Sequence, residues 1–152
     1  MTQNNTGLST FKQILCNITA QYANVTPKGI KLTDDVTYES VKVTIVDFKP
    51  ARSKYRNKKP VCRSFNGINS LKNNNKLCAT CDDKNTCTPQ ILLEFMYIAF
   101  PFRIMMAYTS AKNFLKLVHK CQKENINIIG KVVTIRIIDR GRWGEIVFHL
   151  IK

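Results

Sequence analysis

At 152 residues the chain is long enough for one domain with its own core. Hydrophobic residues at 44% exclude a disordered chain, and 24 Lys and Arg against 10 Asp and Glu leave a net charge of +14. A compact domain with that charge repels itself and a polyanion relieves the repulsion, so nucleic acid is the first partner to weigh, with a plain solubility charge as the alternative. The amino-terminal MTQNNTGLST lacks the basic flank and apolar run of a secretory signal, and the longest apolar stretches fall short of the roughly 20 residues of a membrane span. The expected setting is therefore the cytoplasm, in the host cell or its nucleoid, with no membrane contact. In a reducing compartment six cysteines point to metal binding, redox chemistry or burial rather than to disulfides.

Taken in chain order, Phe11, Ile14, Leu15 and Ile18 suit a short helix or irregular cover over residues 8 to 22, within an amino-terminal segment 1–39 that overlies the core. Residues 40 to 48, SVKVTIVDF, place Val41, Val43 and Ile45 opposite Lys42 and Thr44, the two-residue period of a half-buried strand. A polar segment from 49 to 89, rich in Asn, Lys and Cys, reads as an insertion that cannot form core alone. QILLEFMYIAF and FRIMMAY, with Pro101 in the connection, read as two further strands; Pro101 argues against a buried helix there. Thr109 and Ser110 are candidate caps of a helix with Phe114, Leu117, Val118 and Cys121 at helical spacing. KVVTIRII and EIVFHLIK, joined by the turn DRGRWG, complete a set of five strands.

The expected fold is mainly β (α+β): one OB-type domain over 1–152, a five-stranded barrel with its helix between strands three and four and the insertion between strands one and two. A generic mixed α+β domain is the alternative. An OB-fold binds oligonucleotides across strands two and three and in the loops joining strands one to two and four to five. Here those two loops are the unusual segments.

The first loop holds Cys62, Cys78, Cys81 and Cys87, spaced C-x15-C-x2-C-x5-C. Four thiolates suit one tetrahedral, structural Zn2+ per chain, and such a site orders a loop too polar to fold alone. Uncoordinated thiols or a redox pair at Cys78 and Cys81 are the alternatives. The same loop carries seven basic residues and no acidic one from Lys49 to Arg63: Lys49, Arg52, Lys54, Arg56, Lys58, Lys59 and Arg63, with Tyr55 among them and Phe65 just beyond. Cations for phosphates and aromatic faces for bases are the sequence-tolerant recipe for single strands; a solvated charge run is the bland reading. In the second loop Arg140 and Arg142 flank Trp143, the only tryptophan. Its ring is either a stacking platform or a plug of the barrel core. Arg103 and Arg136 lie on otherwise apolar strands and face either the ligand or water. His119 and His149 have no partners at catalytic spacing and no Gly-rich phosphate loop is present, so no enzymatic activity is expected.

PVCRSFNG, then CATC and a further Cys, then a strand pair and Tyr-Thr-Ser-Ala-Lys opening a helix, resemble a family of phage and mobile-element single-stranded-DNA-binding proteins, over a stretch from Lys28 to the carboxyl terminus. The resemblance implies an OB-fold with a four-cysteine zinc insertion, Cys62, Cys78, Cys81 and Cys87 standing at the ligand positions. It also implies a role in DNA replication or recombination of a mobile genome, beside replication or recombination proteins. One departure is the ending His149-Leu150-Ile151-Lys152, where such proteins often carry an acidic recruiting tail. Two other functions fit the same residues: a zinc-containing adapter that docks a replication protein, and an RNA-binding zinc protein, since stacking and phosphate contact do not read the sugar.

Overall fold

The alternation that begins at Val41, Val43 and Ile45 organises the molecule, because the strand it starts pairs with three others. The computed structural model describes residues 21–33, 35–57, 59–64, 77 and 87–152, with backbone alone for 55, 56 and 59–61. In chain order these form β1 (Gln21–Tyr22), β2 (Asn24–Thr26), β3 (Gly29–Lys31), β4 (Thr37–Tyr38), β5 (Ser40–Arg56), β6 (Lys59–Ser64), β7 (Thr88–Tyr97) and β8 (Phe100–Ala107), then helix α1 (Tyr108–Lys123), β9 (Val132–Asp139) and β10 (Gly144–Leu150). The fold is mainly β with one helix among the described residues. The larger sheet is mixed, running β1-β8-β7-β5-β9-β10, with β1 parallel to β8 and β6 attached to β5; β2, β3 and β4 form a separate small sheet.

At 17 residues β5 spans on the order of 55 Å. Thr44 pairs with both Met96 and Val132, and Ser53 with both Thr88 and Arg63, so β7 lies along one edge while β9 and then β6 share the other. A register shift between Ile45 and Asp47 marks the bend where β5 leaves β9 and runs on toward β6. One face of the sheet carries the core: Val43, Ile45, Leu93, Phe95, Phe102, Met106, Val133 and Ile135 are buried, and Phe114, Val118 and Cys121 of α1 pack on them. Phe114 lies between Phe48 and Phe148, both edge-on at 5.0 and 5.2 Å between ring centres. Ile30 of β3 inserts its fully buried side chain into the same core. Among the described residues no helix is long and apolar enough to cross a membrane.

Several expectations change. Among the described residues no closed barrel forms: the strand order begins with β1 and β8 and ends with β10, and no ladder joins β8 to β10, so the sheet is open at that seam. The strand expected to stop at residue 48 runs to Arg56, and Lys59–Ser64 pairs back on it, so the first part of the 49–89 insertion is a β-hairpin rather than a polar loop. Alternation hid this, since Lys and Arg occupy both faces. Pro101 lies within β8 opposite Met96, and the turn falls instead at Ile98 and Ala99. Ile98 takes φ +58 in that turn, where glycine is the usual residue, so composition gave no turn signal. Thr109 and Ser110 do not cap α1, which begins at Tyr108 after an extended Ala107 without a side-chain cap. Of residues 8–22 only Gln21 and Tyr22, in β1, are among those described.

Candidate functional site

The open seam creates a concavity that the described residues line. Between the free edges of β8 and β10 lies a groove of about 660 Å3, walled by Ile104–Ala107 on one side and Gly144 and Ile146 on the other. Val25 and Pro27 close one flank. This crossing needs Gly144, because a Cβ there would lie 2.4 Å from the Thr26 carbonyl oxygen. Tyr108, Arg142 and Trp143 form the rim.

Both aromatic rings are available to a ligand. Trp143 is 46% exposed and stands outside the core cluster; Tyr108 is 73% exposed. Tyr108 also takes φ +46, a left-handed conformation that costs an L-residue about 1–2 kcal/mol, at the joint where β8 becomes α1. Strain held at an exposed aromatic beside a groove is a pointer to function. Residue type alone could not reveal it, because Tyr108 reads from the sequence as the last residue of a strand.

The turn carrying Arg142 and Trp143 is fixed from both ends. Arg140 N–H donates to the Trp143 carbonyl at 3.0 Å, and Gly141 N–H, at φ +90, donates to Asp139 Oδ1 at 2.7 Å. The Arg140 guanidinium donates through Nε and Nη2 to Glu145 Oε2, at 3.0 and 2.6 Å. Glu145 is buried, and Asn113 Nδ2 reaches its other oxygen at 3.4 Å. Arg140 therefore anchors the turn, leaving Arg142 as the groove's cation. The hydrogen bond from Arg140 is the largest influence on the Glu145 carboxyl and holds it below its ordinary value of 4.5, against desolvation and with help from Asn113.

The other sequence-predicted residues are scattered. Lys49 lies 3.5 Å and Arg103 3.8 Å from the same Glu94 oxygen, on the sheet face opposite the core. Arg136 is exposed on β9, with β7 and β5 between it and Arg103, about three strand spacings or 14 Å of sheet. Arg52, Lys54 and Arg63 are half-buried in the β5–β6 hairpin, to which Tyr55, Arg56 and Lys59 contribute backbone; Lys58 and Phe65 lie outside the described residues. On that same stretch of sheet, Ala51, Ser53, Gln90 and Leu92 are buried away from the main core, so the basic hairpin borders a packed surface.

Cys62 pairs with Lys54 on one edge of β5, while Cys87 immediately precedes Thr88, which pairs with Ser53 on the other edge. Cysteines 25 positions apart are thus brought to one end of the sheet, on either side of Lys54. Cys78 and Cys81 lie outside the described residues, and among the described ones no three His, Cys, Asp or Glu side chains gather as a metal site. Cys121 is buried in the core. Comparison with family models, with curated proteins and with solved structures finds no match to this chain.

A carboxyl held below its ordinary value in the folded state contributes stability that is complete above 4.5 and disappears as pH falls through the folded value. Thermal melts of the wild type and Glu145→Gln should therefore differ most near neutrality and converge in acid. A difference that grows on acidification would contradict the Arg140–Glu145 anchor.

Proposed function

We propose that this chain is a non-enzymatic single-stranded-DNA-binding protein, with the β8–β10 groove as its base-binding site, acting in replication or recombination of a phage or mobile element. The observation that carries the reading is the rim: two exposed aromatic rings, Tyr108 and Trp143, with Arg142 beside them, around a groove lined by no carboxylate among the described residues, in a chain of net charge +14. Aromatic faces accept unstacked bases of any sequence at about 1–3 kcal/mol each, and cations beside them neutralise phosphates. Duplex DNA offers no free base faces. The strand order β8-β7-β5-β9-β10, with α1 following β8, supports an OB-type arrangement opened between its third and fifth strands. In that arrangement the Arg140–Trp143 turn is one of the two ligand-binding loops and the β5–β6 hairpin belongs to the other. β8 ends at Ala107 opposite Gln90, at the end of the sheet from which the hairpin extends, so Arg52, Lys54 and their neighbours add a phosphate track on that side.

The same reading assigns Cys62, Cys78, Cys81 and Cys87 to one structural zinc. What favours it is the placement of Cys62 and Cys87 at one end of the sheet around Lys54, whose charge offsets part of the net negative charge of a tetrathiolate zinc centre. When bound, the ion would tie the far end of the hairpin to the start of β7.

Fluorescence anisotropy with labelled single strands, and duplex and RNA competitors, tests the function. Single-stranded DNA should bind tightest and quench Trp143, and Trp143→Ala should lose about 1–3 kcal/mol of affinity. Because that ring is half-exposed, folding stability should fall by about 2 kcal/mol, below the roughly 3–5 kcal/mol of a fully buried tryptophan. Duplex binding equal to single-strand binding, or a Trp143→Ala variant that binds normally, would refute the groove; tighter binding of RNA would reassign the natural ligand.

Elemental analysis of protein purified without added metal should find about one zinc per chain, lost in Cys78→Ser/Cys81→Ser together with much of the stability. Absence of zinc, or a double variant that melts like the wild type, would remove the site.

A further inference from the structure

A second, separate groove of about 350 Å3 lies between α1 and β10, lined by Val147–Leu150 where the first is lined by Gly144 and Ile146, and Asn113 Nδ2 donates to the Ile146 carbonyl at 2.9 Å at the step between the two. Its polar lining among the described residues is Asn113, Lys116, Lys120, His149 and Lys152, without an Asp or Glu side chain. Lys116 and Lys120 belong to a helical series with Lys112, each four residues from the next, on a helix without a single acidic residue. Like charges at that spacing repel on a helix, and nothing on α1 relieves them. Their rise along the axis is about 6 Å per step, so the series forms a line rather than a point. A line of cations is suited to a chain of phosphates.

We propose that this second groove carries the phosphate backbone of the same single strand after its bases leave Tyr108 and Trp143, so that the bound strand follows the whole free edge of β10 and Lys116 and Lys120 set the length of DNA covered. The proposal rests on the reading that the first groove holds bases. An acidic peptide would find the same charges, but successive residues of one strand, β10, line this groove and the aromatic one, which favours the ligand proposed for the first.

Oligothymidylates of about 5 and about 15 nucleotides, within the range one OB-type fold covers, separate the two grooves. Lys116→Glu/Lys120→Glu should bind the short oligomer as the wild type does, with Trp143 quenched. It should lose affinity several-fold for the long one, with a salt slope shallower by about 1.4, from about 0.7 per phosphate contact. Lys116→Gln/Lys120→Gln should show the same pattern more weakly, and guards against a folding or charge-reversal effect on Glu145. Unchanged affinity for the long oligomer, including the case in which a poly-glutamate peptide is what loses binding, would overturn the proposal, as would equal losses on both lengths. A short oligomer that fails to bind wild-type protein would instead overturn the first groove.

Discussion

The free edge of β10 is the constraint on which the rest of the molecule depends. Because β8 and β10 do not pair, each presents backbone groups that no strand satisfies, and a buried orphan of this kind costs about 1–3 kcal/mol. On β10 the helix meets the need: Ile146 N–H donates to Ser110 Oγ at 3.0 Å and the Ile146 carbonyl accepts from Asn113 at 2.9 Å. Two polar side chains on one helix thus stand in for the missing strand. They also fix α1 against the sheet, so that Phe114 can enter between Phe48 and Phe148. On β8 the amino-terminal half of the edge is taken by β1, and only Ile104–Ala107 is left to face the seam. The opening is therefore built in, with both lips held.

From that geometry follows a division of chemical tasks along one line. The groove between β8 and β10 has apolar walls and an aromatic rim; the groove between α1 and β10 has lysines; the β5–β6 hairpin carries further cations. Two carboxylates are committed to internal cations, Glu145 to Arg140 and Glu94 to Lys49 and Arg103. The chain's net charge of +14 repels itself, and a polyanion would relieve that repulsion. A phosphate chain along this edge would be held mainly by charge and salt-sensitive, while the rings would supply the preference for unpaired bases.

Much of this was legible in the residues. Val41, Val43 and Ile45 alternate into the core, and Phe114, Leu117, Val118 and Cys121 all turn inward from α1 as their spacing predicts. The DRGRWG turn lies where its glycines and charges place it, between the last two strands. What the sequence hides is non-local. Nothing in β8 or β10 says that they will not meet, since each alternates as a paired strand does. Thr109 and Ser110 look like caps, yet Ser110 serves a strand 36 residues away. Tyr108 and Ile98 adopt positive φ without being Gly or Asn, so no composition rule marks them. The basic run looked like loop because its lysines and arginines carry no apolar period, although β6 pairs with it residue by residue.

The central claim is that a single strand lies in the seam with its bases against Tyr108 and Trp143, and the most direct measurement is photochemical cross-linking of an oligothymidylate followed by mass-spectrometric mapping of the modified peptides. Adducts should fall on the peptides containing Tyr108 and Trp143 and disappear when unlabelled single strand, but not duplex, is added in excess. Adducts confined to the 52–64 hairpin, with both groove peptides unmodified, would contradict the account.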